Sequence, residues 1–411
     1  MPGPTPHVAS QRAARQARDS IFVAAPASVL HPDAMKSLAR AFSPSTKRDD
    51  PRNDDGFIDR EGMARKRGPT LGGTTRLSTM TFQAGFSAFR IRDDQSGYRA
   101  GIETMRTDDL SPGEVLVKVA YSSVNYKDAL AGTGKGKILR RFPLNGGIDV
   151  AGYVAASTDP AFKEGDAVLC TGCGLSETRD GGYAEYARLE SKWTIPLPQG
   201  LTLRESMALG TAGFTAALSL FQLVRNGQVP EMGPIVVTGA TGGVGALAID
   251  ILTRAGFEAH AITGKVEQFD WLIGLGAKQC IAREGLYWGQ RPLETARWAG
   301  AIDNVGGDML AGLTRVIRPY GNIASCGLAA SADLATTVMP FIIRGLSLLG
   351  IASAGTARAI RDQVWEHLAT DWKPAHLATI ANREVTLSEL PPVFDTMLAG
   401  GSLGRTVVKV A

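Results

Sequence analysis

The chain has 411 residues, 44% of them hydrophobic and 20% charged, an ordinary globular composition with enough apolar material for two domain cores. Its net charge of +4 belongs to the first 79 residues, which carry 13 Lys and Arg against 8 Asp and Glu; the remainder holds 31 against 32. A basic patch on a fold is therefore absent from the reading, and no nucleic-acid partner is expected. No apolar run reaches the ~18 residues of a membrane span, so no membrane partner is expected either.

Residues 1–79 are rich in Pro, Ser, Arg and Asp, and residues 43–67 hold almost no apolar side chains. Such a segment cannot bury enough surface to fold, so 1–79 reads as a disordered basic tail. Three origins suit it: sequence upstream of a true start at Met80, which is the preferred one; a transit peptide, against which its acidic residues argue; or an interaction tail. A first strand then runs over 80–91. Between 113 and 198, short alternating runs such as Glu114-Val115-Leu116-Val117-Lys118-Val119 and Asp149-Val150-Ala151-Gly152-Tyr153-Val154 are separated by turn residues. They predict a compact, partly open β-barrel.

From Arg204 to about Gly345 strands and helices alternate, which predicts a parallel sheet. Its key segment is Ile235-Val236-Val237-Thr238-Gly239-Ala240-Thr241-Gly242-Gly243-Val244-Gly245. A β-branched run enters a glycine-rich turn, and Val244, Leu247, Ala248, Ile251 and Leu252 leave it at helical spacing. Helix N-termini offer unpaired N–H groups to a phosphate, and glycines let the backbone approach it. This reads as a dinucleotide site, with Thr241, Gly242, Gly243 and Val244 at the pyrophosphate. The second strand ends at Thr263-Gly264-Lys265, with no carboxylate to bind ribose hydroxyls. A hydroxyl, a bare backbone and an ammonium suit a 2′-phosphate, so NADPH is expected over NADH. Asn304 and Cys326-Gly327 fall at the ends of later strands and should face the cofactor. Residues 342–351 are apolar but broken by Arg344 and Gly345, and read as buried core; Arg344 is expected to pair with a carboxylate or a cofactor phosphate. The strand at 405–410 is expected to return to the barrel.

Four cysteines and no signal peptide point to a reducing compartment, hence a cytoplasmic protein. Cys170-Thr171-Gly172-Cys173 has zinc-ligand spacing but no second pair. It also lacks a thioredoxin-like context, so strand-end packing is its expected role.

The motifs Gly147-Ile148-Asp149-Val150-Ala151-Gly152, Gly165-Asp166-Ala167-Val168, Gly182-Tyr183-Ala184-Glu185-Tyr186 and Gly210-Thr211-Ala212-Gly213-Phe214-Thr215-Ala216 resemble those of the medium-chain dehydrogenases/reductases. The resemblance runs from about Met80 to Ala411. The zinc alcohol dehydrogenases carry Gly-His-Glu where this chain has Gly147-Ile148-Asp149, and no histidine falls between Met80 and Gly256, so no metal is expected. Ser122-Ser123-Val124-Asn125-Tyr126-Lys127-Asp128-Ala129-Leu130, Thr133-Gly134-Lys135-Gly136-Lys137-Ile138, Met339-Pro340-Phe341-Ile342-Ile343-Arg344-Gly345 and Gly404-Arg405-Thr406-Val407-Val408-Lys409 resemble the NADPH-dependent acryloyl-CoA reductases, a zinc-free branch near the quinone oxidoreductases.

That resemblance implies an α/β fold: a GroES-like β-rich catalytic domain over 80–204 and 346–411, with a Rossmann NADPH-binding domain over 205–345. It implies reduction of acryloyl-CoA to propanoyl-CoA, a homodimer, and Tyr126 near the nicotinamide. Tyr126 there either orients the ring or donates a hydrogen bond or proton, or only packs against the ring. Asn125 either makes an amide contact or holds the turn, and Asp128 either caps the following helix or touches substrate. Leu348 is implied along the cofactor cleft. Lys135, Lys137, Arg140 and Arg141 form a basic cluster; Lys137 and Arg141 are the candidates for the phosphates of a coenzyme A thioester, with a solvated loop as the alternative. Other functions stay open: a quinone or free-enone reductase, a non-enzymatic NADPH-binding or RNA-binding protein, or a tail that binds an acidic surface.

Overall fold

The computed structural model describes residues 85–411, so the tail and the first residues of the 80–91 strand lie outside the described part. The strands are β1 (Phe86–Asp94), β2 (Gly97–Met105), β3 (Val115–Val124), β4 (Leu144–Asn145), β5 (Asp149–Ser157), β6 (Ala167–Thr171), β7 (Tyr186–Leu189), β8 (Ile195–Pro196), β9 (Ile235–Thr238), β10 (Ala259–Thr263), β11 (Ala277–Ala282), β12 (Trp298–Asp303), β13 (Ile317–Ser325), β14 (Ser347–Gly350), β15 (Arg383–Val385) and β16 (Thr406–Lys409). The helices are α1 (Tyr126–Thr133), α2 (Leu203–Arg225), α3 (Gly243–Arg254), α4 (Phe269–Gly274), α5 (Gly307–Val316), α6 (Met339–Arg344), α7 (Arg358–Ala369), α8 (Leu377–Ile380) and α9 (Leu390–Leu398).

The β-rich part holds a sheet in the order β2-β1-β4 and a larger one in the order β15-β16-β3-β5-β6-β8, with β7 also paired to β3. Alternating inward residues of β3, β5 and β6 (Val115, Val117, Val119, Val150, Val154, Val168) fill its core. The return of the last strand is as expected: β16 pairs antiparallel with β3, Thr406 opposite Val124. The second part is a six-stranded parallel sheet in the order β11-β10-β9-β12-β13-β14. Its central strands β9, β10 and β12 are buried along their whole length, whereas the edge strands β11 and β14 are partly exposed.

Helix α2 joins the two parts. Thr202 caps it, accepting the Glu205 amide at 3.1 Å while the Glu205 carboxylate accepts the Thr202 amide at 2.8 Å. By length and composition α2 could cross a membrane, but 83% of its apolar window is buried inside the fold, as in the core helix of a water-soluble protein. It is broken at Gly210, whose φ of 51° and ψ of −155° are left-handed and non-helical.

The expectation that 342–351 is buried core is wrong for much of its length. Ile342 is 69% exposed and Ile343 61%, next to the edge strand β14. Leu346 and Ile351 alone of its apolar residues are buried.

Candidate active site

Strand β9 ends at Thr238, the chain turns through Gly239 at φ 59°, and α3 begins with Gly242 as its N-cap. The turn is tight: a Cβ on Gly245 would lie 2.4 Å from the Gly239 carbonyl oxygen. Thr241, Gly242, Gly243 and Val244 thus sit where the first N–H groups of a 12-residue helix point outward. The Thr241 and Thr263 hydroxyls lie 3.2 Å apart, so the first and second strand-to-helix turns touch.

The second turn carries Gly264 and Lys265. The Lys265 backbone N–H donates to the Thr263 hydroxyl at 3.0 Å. Its ammonium donates to the Ser402 carbonyl at 2.5 Å, and burial lowers its pKa. A further cation lies here that the sequence reading missed. A Cβ on Gly264 would meet the Arg283 guanidinium at 2.8 Å. Arg283 follows the next strand, β11, so it falls outside the local motif; its backbone N–H donates to the Thr263 carbonyl at 2.8 Å.

Asn304 stands where expected, at the end of β12 beside the glycine turn. Its side-chain amide donates to the Thr238 carbonyl at 2.8 Å, and its Oδ1 accepts the Cys326 thiol at 3.1 Å. Burial pushes Cys326 up to about 12, so it is a neutral thiol. Leu348 lies on β14, 36% exposed, with β12 and β13 between its strand and β9. Nor does Arg344 meet a carboxylate. It donates to the carbonyls of Arg315 at 2.8 Å, Ile317 at 2.9 Å, and Glu294.

Between the two parts lies a buried polar network. The Asp149 carboxylate accepts the Asn125 amide at 2.9 Å, the Ser123 hydroxyl, and both the Thr211 hydroxyl at 2.6 Å and its N–H at 3.0 Å. Arg405 reaches in from the end of the chain. It donates to Asn125 Oδ1 at 3.0 Å, the Val124 carbonyl at 2.8 Å, the Ser123 hydroxyl at 2.7 Å and the Ala208 carbonyl at 3.1 Å, with Asp149 at 3.9 Å. The kink at Gly210 is what lets this happen. A Cβ there would lie 2.6 Å from Asp149 Oδ2 and 2.7 Å from the Arg405 guanidinium.

Asp128 caps α1, as one of its two expected roles has it. Its carboxylate accepts the Asn125 N–H at 2.9 Å and the Ile148 N–H at 2.9 Å. Burial, and after it the Asp149 charge, push Asp128 up to about 7 against those hydrogen bonds. Asn125 is 8% exposed, and its amide is fully engaged with Asp149, Asp128 and Arg405. Of its two readings the geometry carries the turn-holding one.

Tyr126 is different. It opens α1 with 47% of its surface exposed and lines a cavity of about 450 Å³ with Leu130, Lys135, Asp395, Leu398 and Ala399. The cation on this cavity is Lys135 rather than Lys137 or Arg141. Arg141 donates to the Ser111 hydroxyl at 2.6 Å, and Arg140 pairs with Glu177 at 3.0 Å. Where zinc relatives place histidine, Ile148 is a buried apolar residue. Among the described residues no three His, Cys, Asp or Glu side chains are grouped to hold a metal ion.

Residues 111–199 match the alcohol dehydrogenase GroES-like domain. The chain is 46% identical over 326 residues to "Putative quinone oxidoreductase YhfP" of Bacillus subtilis (strain 168), covering 79% of this chain and 99% of that one. It is 43% identical over 321 residues to acrylyl-CoA reductase AcuI of Ruegeria pomeroyi, covering 78% and 97%. The chain belongs to this zinc-free branch of the medium-chain dehydrogenases/reductases. The yhdH oxidoreductase of Salmonella enterica, solved in complex with NADP, superimposes with a TM-score of 0.77 at 42% identity, over 79% of this chain and all of that one. The Bacillus subtilis protein, solved with NAD bound, gives 0.77 at 45% identity, over 79% and 99%.

Proposed function

We propose that this chain is an NADPH-dependent reductase of the carbon–carbon double bond of acryloyl-CoA, giving propanoyl-CoA. Its membership of an oxidoreductase branch that contains an acrylyl-CoA reductase at 43% identity supports the class of reaction. The observation that carries the reading is the joining of two half-sites: Arg405 touches both Gly243 of the glycine turn and Asn125 beside Tyr126.

The residues present fit the cofactor. Thr241, Gly242, Gly243 and Val244 would hold the pyrophosphate at the N-terminus of α3. Thr263, Gly264 and Lys265 would hold the 2′-phosphate together with Arg283, whose planar fork suits a phosphate. Asn304 would face the nicotinamide end. Bound NADPH supplies a hydride to the β-carbon of the enoyl thioester. The chain's own task is to hold the thioester, stabilise the enolate oxygen and deliver a proton to the α-carbon. We assign the hydrogen-bond or proton donation to Tyr126, which stands on the cavity wall. Asn125 acts as a positioning residue, locked by Asp149 and Arg405. Lys135 would meet the negative charge of coenzyme A.

The test is steady-state NADPH oxidation by the full chain with acryloyl-CoA and a simple quinone side by side. A much higher kcat/KM for the thioester supports the reading; preference for the quinone moves the protein to its quinone-reductase relatives. Tyr126→Phe should lower kcat by about 10²-fold if the hydroxyl donates, and leave kcat and KM for NADPH nearly unchanged if the ring merely packs, since Phe keeps the ring. Arg283→Ala should lower kcat/KM for NADPH by roughly tenfold and leave NADH turnover unchanged.

The partner of the exposed α6 face is, in this reading, a second copy of the chain. Val338, Ile342 and Ile343 expose apolar surface beside the edge strand β14, whose outer side is unpaired within the described sheet. We place the enzyme in the cytoplasm, a reducing compartment that suits its four free cysteines.

A further inference from the structure

Cys170 and Cys173 lie outside the site just described and share one core cluster. Cys170 is buried near the end of β6. The chain then passes Thr171 and turns back through three successive left-handed residues, Gly172 at φ 69°, Cys173 at φ 52° and Gly174 at φ 83°. An L side chain seldom adopts that conformation, so the fold sets Cys173 here against its local preference. The turn is anchored on both sides: the Gly172 N–H donates to the Ile148 carbonyl at 2.7 Å, and the Cys173 N–H to the Ala354 carbonyl at 3.2 Å. Cys173 packs against the core cluster that holds Cys170, and its S–H donates to the Thr171 carbonyl at 3.5 Å.

Their surroundings distinguish the two thiols. Arg361 is fully buried beneath the turn and donates to the Thr171 hydroxyl at 3.1 Å and to the carbonyls of Ser353 at 2.7 Å and Ala354 at 3.1 Å. The Cys170 thiol, then the Arg361 and Arg179 charges, lower the Cys173 pKa, while burial and the Glu190 charge oppose them. Cys170 is pushed the other way, by the Cys173 thiol and by burial. Cys173 is also the partly exposed member of the pair. A partly exposed sulfur thus packs against the cluster that holds a buried one, with the Arg361 and Arg179 charges favouring the thiolate of the exposed member, the arrangement of an attacking and a resolving cysteine.

We propose that Cys170 and Cys173 are an oxidisable dithiol that closes to an intramolecular disulfide when a peroxide attacks Cys173. In the first step the Cys173 thiolate attacks one peroxide oxygen. The O–O bond breaks, a sulfenic acid forms and, with one proton taken up, water leaves. In the second step the Cys170 sulfur attacks the sulfenic sulfur. The S–O bond breaks, the Cys170 proton goes to the departing hydroxide, and a second water leaves. Two thiols are oxidised and one peroxide is reduced to two waters. The bond would close across Thr171, which pairs in register with Asp149 on β5. The dithiol therefore lies one strand away from the carboxylate that organises the active site, yet it does not depend on which substrate that site reduces.

The test is peptide mapping of the full, reduced chain after treatment with hydrogen peroxide and alkylation of the remaining thiols. The expected product is a peptide two hydrogens lighter that links Cys170 to Cys173 and is restored by dithiothreitol, with Cys280 and Cys326 still alkylated. Cys170→Ala should stop the reaction at a Cys173 sulfenic acid that dimedone traps. Without peroxide, iodoacetamide at pH 7 should label Cys173 roughly tenfold faster than Cys280, whose pKa burial raises. Oxidation of Cys280 or Cys326 ahead of this pair, or two intact thiols at positions 170 and 173 after excess peroxide, would overturn the proposal.

Discussion

The Arg405 side chain occupies the space that a Cβ on Gly243 would need, with its Cδ 2.7 Å from that position. The same guanidinium holds Asn125. One residue near the end of the chain therefore sets the distance between the glycine turn and the turn that carries Tyr126. The Gly404 N–H adds a second tie, donating to the Thr241 carbonyl at 2.9 Å.

Gly243→Ala should disturb this junction without unfolding the protein. The added methyl must displace an arginine that four hydrogen-bonding partners hold in place. Overpacking of this kind costs about 1–3 kcal/mol. KM for NADPH should rise by about tenfold while the melting temperature falls by only a few degrees. An unchanged KM would show that the junction yields freely.

Arg405→Met should be far more damaging. It leaves the Asp149 carboxylate buried beside a vacated partner, a change that costs about 3–5 kcal/mol in comparable buried pairs. Adding Asp149→Asn should recover part of that loss, since no charge is then left uncompensated. Urea unfolding of the single and double variants measures both, and a double variant less stable than either single one would contradict the pairing.

Asp128 gives a signed pH dependence. Its folded pKa, about 7, lies above its ordinary value of 3.8. The folded state therefore binds the proton more tightly than the unfolded chain does. Asp128's contribution to stability is fully present below about pH 4 and is lost as pH rises through about 7. Asp128→Asn should flatten that part of the stability curve, at some cost at every pH because an amide NH₂ must then face an N–H donor. Denaturant unfolding at a series of pH values tests this; an unaltered slope in the variant would rule Asp128 out as its source.

Ile342→Asp combined with Ile343→Asp should convert a dimer to a monomer in sedimentation equilibrium. Both side chains already face solvent within one copy, so the folded monomer should keep its circular dichroism spectrum. A wild-type chain that sediments as a monomer would remove the second-copy assignment for this face.

The glycine turn was legible because its signal is local: a strand, a turn and a helix follow one another within 20 residues, each with its own periodicity. Asn304 could be placed from the rule that ligands bind beyond the carboxyl ends of parallel strands. The Asp149–Arg405 network was not legible as a network, although Gly147-Ile148-Asp149, Gly210-Thr211 and Gly404-Arg405 all stood out as motifs. Its members are held together by pairing of β3, β5 and β16, and no local period announces that pairing. Arg283 was hidden for the same reason, being brought to Gly264 by the parallel pairing of β10 and β11. The misreading of 342–351 has another cause. Hydropathy records that a side chain avoids water, and it does not say whether the same chain or another covers it.

The hydrogen bond between Asn125 and Arg405 spans 280 residues. During synthesis, every contact that fixes the Tyr126 turn to Arg405 must wait until the whole intervening Rossmann sheet has left the ribosome. The β-rich part is split in sequence around that sheet, so its β3 edge stays open until β16 arrives to cover it. The order of events in the cell is thus built into the topology. The nucleotide-binding half can fold while the chain is still growing, and the active site forms last.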